Sequence, residues 1–168
     1  LDMAIHTFDA ARFVSGKTPL AVYCHESNPP GSWYRHGAAA NAIFGSSDNV
    51  VFTYRGSWCA EGARTSWESA WPVIGTRGTL LWDGADKLDA HVVSSETGFL
   101  REVSEIEVLA PSREVDTHGH ASVIHGFLNA VRTGVAPETD GNDNVKSLAM
   151  VFGAIESARE GRCVKIEC

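Results

Sequence analysis

The beginning of the chain carries three ionisable residues, Asp2, His6 and Asp9, spaced four and three residues apart. In a helix, this spacing puts all three side chains on one face. An acid one turn from a histidine can orient the imidazole and raise its basicity, which suits a general base working near neutral pH. The same residues also fit a helix N-terminus with an acid on its dipole and a locally bonded histidine. Spacing alone leaves both interpretations open.

Three histidines close in sequence, His118, His120 and His125, suggest a transition-metal site. His120 and His125 are five residues apart, however, so a helix does not place them on one face. Gly119 also weakens any rigid pair of ligands at this point. We therefore expect capping and surface histidines here, and no metal site.

A Pro-rich segment lies between His25-Glu26 and His36. A strand end with ionisable groups can line a pocket, but an ordinary solvated loop has the same composition. We favour the solvated loop.

The chain has five tryptophans, many for its length. Tryptophan and tyrosine at strand ends can line a sugar-binding cleft, because one end of the side chain is apolar and the other donates a hydrogen bond. For Trp71 and Trp82, within predicted strands, a place in a core or interface is favoured. For Trp33, Trp58 and Trp67, near predicted loops, cleft and core are about equally expected.

Apolar periodicity predicts three helices, each followed by a glycine that can adopt the left-handed cap, and Asn142 or Asp143 can cap the start of the third. The third carries an apolar stripe of Leu148, Val151, Phe152 and Ile155. The predicted helices are Asp2–Ser15, His118–Thr133 and Asp143–Glu160.

Short apolar segments with turn residues between them fill the stretch between the first two helices, which is typical of an antiparallel meander. One helix before and two after, without β–α–β alternation, predict an α+β fold with helices on one face of the sheet. The candidate strands are Leu20–Glu26, Ala38–Phe44, Val50–Gly56, Trp71–Ile74, Thr79–Trp82, Leu88–Ser94 and Phe99–Val108, with Val164–Ile166 as a last edge strand.

The 168 residues fit one ordinary domain, and the formal net charge of −7 argues against a nucleic-acid partner, which would favour a basic face. No stretch approaches the roughly 18–20 apolar residues of a membrane helix, so no membrane partner is expected. Four scattered cysteines without a C-x-x-C fit a reducing cytoplasm. The chain does not begin with methionine, which we interpret as a fragment or processed product.

The chain resembles the C-terminal domain of the Gfo/Idh/MocA oxidoreductases, relatives of glucose–fructose oxidoreductase and inositol dehydrogenase. Residues 2–9 are similar to the D-x-x-x-H-x-x-D helix of that family, and the order of strand, hairpins and helices that follows is similar along essentially the whole chain. The resemblance implies an open, mostly antiparallel β-sheet with helices packed on one face. The other face commonly makes subunit contacts in the family.

The resemblance also implies roles for the opening residues. His6 would take the proton of a substrate hydroxyl, and Asp2 would orient His6 or hold a hydroxyl. Asp9 is a weaker candidate, for substrate binding or for a structural role. A polar cleft for a sugar, polyol or anionic substrate would use Trp33 and Trp58 with two arginines. Those arginines are Arg35 and Arg64.

In the family, NAD or NADP sits mainly on an N-terminal Rossmann domain, which also carries the lysine of an E-K-P motif. No G-x-G-x-x-G follows a strand in this chain. We therefore expect the 168-residue chain to be inactive alone.

Three functions remain open from the sequence. The first is the substrate and oligomerisation domain, over 1–168, of a cytoplasmic NAD(P)-dependent oxidoreductase that forms a homodimer or homotetramer through its sheet face. The second is a non-enzymatic binding or dimerisation domain in which the His–Asp pair is structural. The third is a metal-dependent hydrolase that uses the three clustered histidines. The resemblance favours the first.

Overall fold

The computed structural model describes residues 3–108 and 119–167. Within them the predicted α+β class is confirmed: helices accompany two four-stranded antiparallel sheets. The chain forms two compact units, one within residues 1–60 and 117–168 and the other within residues 61–116. The single domain over 1–168 stays a prediction.

The strands divide between the two units, so the structure has two separate sheets where one open sheet was expected. The first unit contains α1 (Ala4–Ser15), β1 (Pro19–Ser27), β2 (Ala39–Ser46), β3 (Val51–Ser57), α2 (His120–Thr133), α3 (Gly141–Glu160) and β8 (Val164–Lys165). The second unit contains β4 (Trp71–Ile74), β5 (Gly78–Trp82), β6 (Leu88–Val93) and β7 (Val103–Ile106). Strand β7 is markedly shorter than the predicted Phe99–Val108.

The residues that cap the helices determine where the helices begin and end. Each α-helix is followed by a glycine with a positive φ, as predicted. The predicted N-cap of α3 was wrong: Asp140 caps the helix, and its Oδ1 accepts a hydrogen bond of 2.6 Å from the backbone N–H of Asn142. The helix therefore begins at Gly141, two residues before the predicted start.

The first sheet has the strand order β3-β2-β1-β8, with antiparallel pairing throughout. Side chains alternate between its two faces, and one face forms the core beneath α1 and α3. Register places the core-facing residues in three cross-strand rows. These rows are Val22–Phe44–Phe52, Cys24–Ala42–Tyr54 and Glu26–Ala40–Gly56.

Phe8 fixes α1 over this core. Its side chain is fully buried, and its ring centroid lies 4.7 Å from that of Phe44 and 5.2 Å from that of Tyr54. Such edge-on aromatic pairs contribute about 0.5–1.5 kcal/mol each beyond the buried area. The chain reverses direction at Gly16, so α1 runs antiparallel to β1. The residues of α1 before Phe8 therefore extend towards the third row, the one that contains Glu26. The N-terminal turn of α1 therefore lies at the Glu26 end of the sheet.

The second unit is a meander of four strands in the order β4-β5-β6-β7. Trp71 and Trp82 are directly paired across β4 and β5, and both are half-buried. Their indole N–H groups donate to the carbonyls of Glu68 at 2.6 Å and Ala85 at 2.9 Å. These bonds satisfy the polar end of each indole within the unit.

Over the described ranges, none of the helices is both long and apolar enough to cross a membrane.

Candidate functional site

His6 lies on the outer side of α1. The helix buries Ala4, Phe8 and Ala11 against the sheet. His6 follows Ala4 by two residues, which is about 200° around the helix axis. Its side chain is accordingly exposed, and the imidazole faces away from the sheet. Within this chain the His6 side chain is therefore open to solvent near the N-terminal end of α1.

Asp9, one turn further along α1, has partners inside the protein. Its Oδ1 accepts a hydrogen bond of 2.5 Å from Ser147 Oγ and lies 3.3 Å from Arg12 Nη1. These contacts join α1 to α3 and favour a structural role for Asp9. Its predicted substrate binding stays a prediction. The other motif carboxylate, Asp2, lies outside the described residues.

The segment between β1 and β2 carries exposed aromatic and basic side chains. Trp33 is 84% exposed, and its ring centroid lies 5.8 Å from that of Tyr34. Arg35 and His36 are exposed beside them. Because this loop joins the ends of β1 and β2 near Glu26, it lies at the same end of the sheet as the N-terminal turn of α1.

Trp58 directly follows β3 at that end. Its backbone N–H donates to the carbonyl of Ala38 at 2.8 Å, which ties the end of β3 to the start of β2. We call this region the site end: the N-terminal turn of α1, the loop over residues 28–38, and Trp58. His6, Trp33, Arg35 and Trp58 all lie at this end of the first unit.

Arg64 belongs to the other unit, within which its side chain is exposed. The four predicted site residues at the site end therefore all belong to the first unit, and Arg64 is not one of them.

His25 and Glu26, neighbours in sequence, point to opposite faces of the sheet. His25 is exposed on the face away from the helices, whereas Glu26 is half-buried in the third core-facing row. The Glu26 side chain occupies the space that a Cβ at Gly37 would need. A solvated-loop role for Glu26 was therefore wrong, because it closes the end of the core at the site end.

Tyr54 is a second polar residue here that sequence reasoning missed. Its hydroxyl occupies the space that a Cβ at Gly56 would need, which brings the phenol over the third row. Burial raises the pKa of Tyr54, and the nearby Cys24 thiol adds to the effect. The phenol is thus a hydrogen-bond donor at neutral pH.

For Glu26, the signal available in the sequence was its alternation with Val22 and Cys24 along β1. It places an acid on an otherwise apolar strand face, opposite small residues on β2 and β3.

The clustered histidines do not form a common site in the described part of the chain. His120 and His125 are both exposed on α2, and His118 lies outside the described residues. Within the described ranges, no three His, Cys, Asp or Glu side chains are grouped to hold a metal ion.

The site end combines three kinds of chemistry. An exposed imidazole can accept a proton, indole faces can stack on the C–H faces of a sugar ring, and an arginine can donate to hydroxyl or carboxylate oxygens. Glu26 and Tyr54 add an acceptor and a donor towards the sheet. This set suits a small, hydroxyl-rich molecule.

Comparison with known proteins places this geometry in a family. The sequence profile described as the oxidoreductase family, C-terminal alpha/beta domain, matches residues 1–166. A D-apiose dehydrogenase of Paraburkholderia graminis is 29% identical over 171 residues, which cover 99% of this chain and 44% of that protein. The chain therefore spans less than half the length of this relative.

Solved structures show the same fold. A levoglucosan dehydrogenase in complex with NADH superposes with a TM-score of 0.74 at 18% identity, covering 99% of this chain and 49% of its own. An aldose-aldose oxidoreductase from Caulobacter crescentus, complexed with glycerol, superposes with a TM-score of 0.72 at 20% identity, covering 96% of this chain and 45% of its own. With the family profile matched over nearly every residue, the chain belongs to the Gfo/Idh/MocA oxidoreductase family as its C-terminal α/β domain.

Proposed function

We propose that this chain is the substrate-binding half of an NAD(P)-dependent oxidoreductase that acts on a hydroxyl group of a sugar or polyol. The observation that carries the proposal is the exposed imidazole of His6 on the outer side of α1, at the same end of the sheet as Trp33 and Arg35. The relatives named above are dehydrogenases or oxidoreductases, and two of their names specify D-apiose and levoglucosan.

The described residues do not themselves form a dinucleotide site. Dinucleotide folds hold the pyrophosphate at a glycine-rich turn between a parallel strand and a helix. Both described sheets are antiparallel, and no such turn follows their strands. We therefore assign the cofactor to the remainder of the full-length protein, where a bound nicotinamide would supply the hydride acceptor.

The role of this chain is to bind the substrate and to accept its proton. Trp33 and Trp58 offer indole faces to the sugar ring, and Arg35 donates hydrogen bonds to its oxygens. As the substrate carbon is oxidised, the hydroxyl O–H bond breaks and the proton passes to a ring nitrogen of His6. An imidazole suits this role because one ring nitrogen can accept a proton from a hydroxyl held within hydrogen-bond distance.

The face of the first sheet opposite α1 and α3 supports a second proposal, that the protein forms homo-oligomers through it. Tyr23, Ile43 and Val51 are 45%, 52% and 61% exposed there, on three neighbouring strands. A second copy of the same face would cover these apolar side chains. Light scattering of Ile43→Asp should show a smaller mass than the unsubstituted protein. An equal mass for both would contradict this assembly.

The activity is tested with the full-length natural protein that contains this chain. We expect NAD(P)H formation with members of a panel of sugars and polyols, and none from the 168-residue chain alone. A full-length protein that binds neither NAD nor NADP would contradict the proposal and leave the non-enzymatic assembly domain as the better account.

A further inference from the structure

Arg12 is a nearly buried cation held between two helices. Its side chain is 10% exposed. Nη1 donates to Ser147 Oγ at 2.6 Å, and Nη2 donates to Asp143 Oδ2 at 2.7 Å. Ser147 is 2% exposed and in turn donates to Asp9 at 2.5 Å. We call these four residues, two on α1 and two on α3, the Arg12 clamp.

The apolar packing of α1 depends on one large buried side chain, Phe8, with the partly buried Ile5 packed against the same core. Of the three residues that the helix buries, Ala4 and Ala11 are alanines, and only Phe8 is large. Small side chains interlock weakly with a neighbouring surface. Hydrogen bonds to a guanidinium are directional, so the Arg12 clamp adds a restraint on the rotation of α1 about the Phe8 contact.

The clamp is not an arrangement that stability alone would favour. Arg12 Nε is buried and has no hydrogen-bond partner within the described part of the chain. A buried donor without a partner lowers stability, and buried ion pairs are often no better than well-packed apolar residues. Fixing one geometry is the best-supported reason to keep such a group.

We infer that Arg12 and Ser147 are positioning residues that set the location of the His6 imidazole by fixing the rotation of α1. This inference rests on the proposed function. His6 and Arg12 lie on one rigid helix, with His6 near the outer edge. A rotation of about 20° would move a side chain at that radius by about 2 Å. Displacements of about 1 Å lower turnover by up to about a hundredfold.

A double-mutant cycle on the full-length protein separates positioning from plain stabilisation. In the unsubstituted background, Ser147→Ala should lower kcat about tenfold or more, with the KM for the sugar changed less than about twofold. In the His6→Ala background, the same substitution should change kcat less than about twofold. The matched control is Ser15→Ala on the same helix, which removes only local bonds, to the carbonyls of Ala11 and Arg12 and from the backbone N–H of Lys17.

The outcomes distinguish the inference from the proposed function. Two results would overturn positioning and leave the proposed function standing. The first is an equal loss of kcat from Ser147→Ala in both backgrounds. The second is no loss from Ser147→Ala in either background while His6→Ala itself is impaired. Full turnover by His6→Ala would overturn both. If Ser147→Ala fails to fold, Arg12→Lys takes its place. It keeps the charge but replaces the planar fork, whose two Nη atoms reach Ser147 and Asp143, by a single ammonium group. The same loss of kcat is therefore expected.

Discussion

The backbone N–H of Cys24 donates a hydrogen bond to the Oγ of Ser157 across 2.8 Å, joining β1 to α3 in the core. Strand β8 pairs with β1 only at Ala21 and Val22, so Cys24 lies beyond that short edge strand. The Ser157 hydroxyl donates in turn to the carbonyl of Arg162 at 2.6 Å. The Ser157 side chain thus forms hydrogen bonds with two backbone groups, the N–H of Cys24 and the carbonyl of Arg162, next to the short edge strand β8.

Replacing Ser157 by alanine should therefore destabilise the protein strongly for so small a change. The substitution leaves a buried donor and an acceptor without partners, which costs about 1–3 kcal/mol in the free energy of unfolding. Urea unfolding of Ser157→Ala and Ser15→Ala gives the comparison. The Ser15 variant should change by about 0.5 kcal/mol. Equal midpoints for the two variants would contradict the role given to Ser157.

Two helical glycines should respond in opposite directions to alanine. A Cβ at Gly153 of α3 would lie 3.2 Å from Val22 Cγ1 and Ile166 Cγ1, whereas one at Gly126 of α2 meets nothing within 4 Å. Gly126→Ala should stabilise by about 0.5–1 kcal/mol through helix propensity. Gly153→Ala should lose that gain to overpacking of about 1–3 kcal/mol. Thermal unfolding should show a higher Tm for Gly126→Ala and no increase for Gly153→Ala. A higher Tm for both would show that α3 does not need a glycine against β1.

Asp143 should contribute pH-dependent stability. Hydrogen bonds from Lys146 and then Arg12 lower the pKa of its exposed carboxyl. A lowered folded pKa gives stability that is fully present above the unfolded value of about 3.9 and is lost as the pH falls through the folded pKa. Asp143→Asn should thus be less stable at pH 7, by up to about 1 kcal/mol for an exposed group. The difference should fade below about pH 4. The control is Glu138→Gln, which changes an exposed loop carboxylate. A loss of stability in Asp143→Asn that persists in acid would contradict an ionic origin of the Asp143 contribution.

The free thiols should react at very different rates. Burial raises the pKa of Cys24, and the Glu26 carboxylate raises it further. Cys163 is exposed. Because the thiolate is the nucleophile, maleimide should label Cys163 faster than Cys24 by on the order of tenfold or more. Peptide mapping of a Cys168→Ser protein measures both rates, and in urea they should converge. Similar rates in the folded protein would place Cys24 outside the core.

Local periodicity was enough to locate the elements but not the faces they bury. The stripe predicted for α3 contained Leu148, Phe152 and Ile155, yet these are 42%, 61% and 43% exposed. The helix instead buries mostly small residues, with Met150 as the one large side chain, because α3 approaches β1 closely at Gly153. The buried residues are Ser147, Met150, Val151, Gly153, Ala154 and Ser157.

The candidate site was predictable where it rests on a local motif. The role of His6 was predicted from the family resemblance, whereas helical spacing alone left both interpretations open. The partners of Arg12 on α3 lie more than 130 residues away in sequence, and no spacing rule connects them. Glu26 was misjudged for a related reason: only the cross-strand register shows that it shares a row with Ala40 and Gly56.

The most direct test of the central claim is the turnover of His6→Ala in the full-length protein, with His125→Ala as the matched control. Both histidines are exposed on helices, so neither change should affect folding. We predict that His6→Ala lowers kcat about a hundredfold or more and that His125→Ala leaves it unchanged. Turnover by His6→Ala at the rate of the unsubstituted enzyme would contradict the assignment of His6 as the proton acceptor.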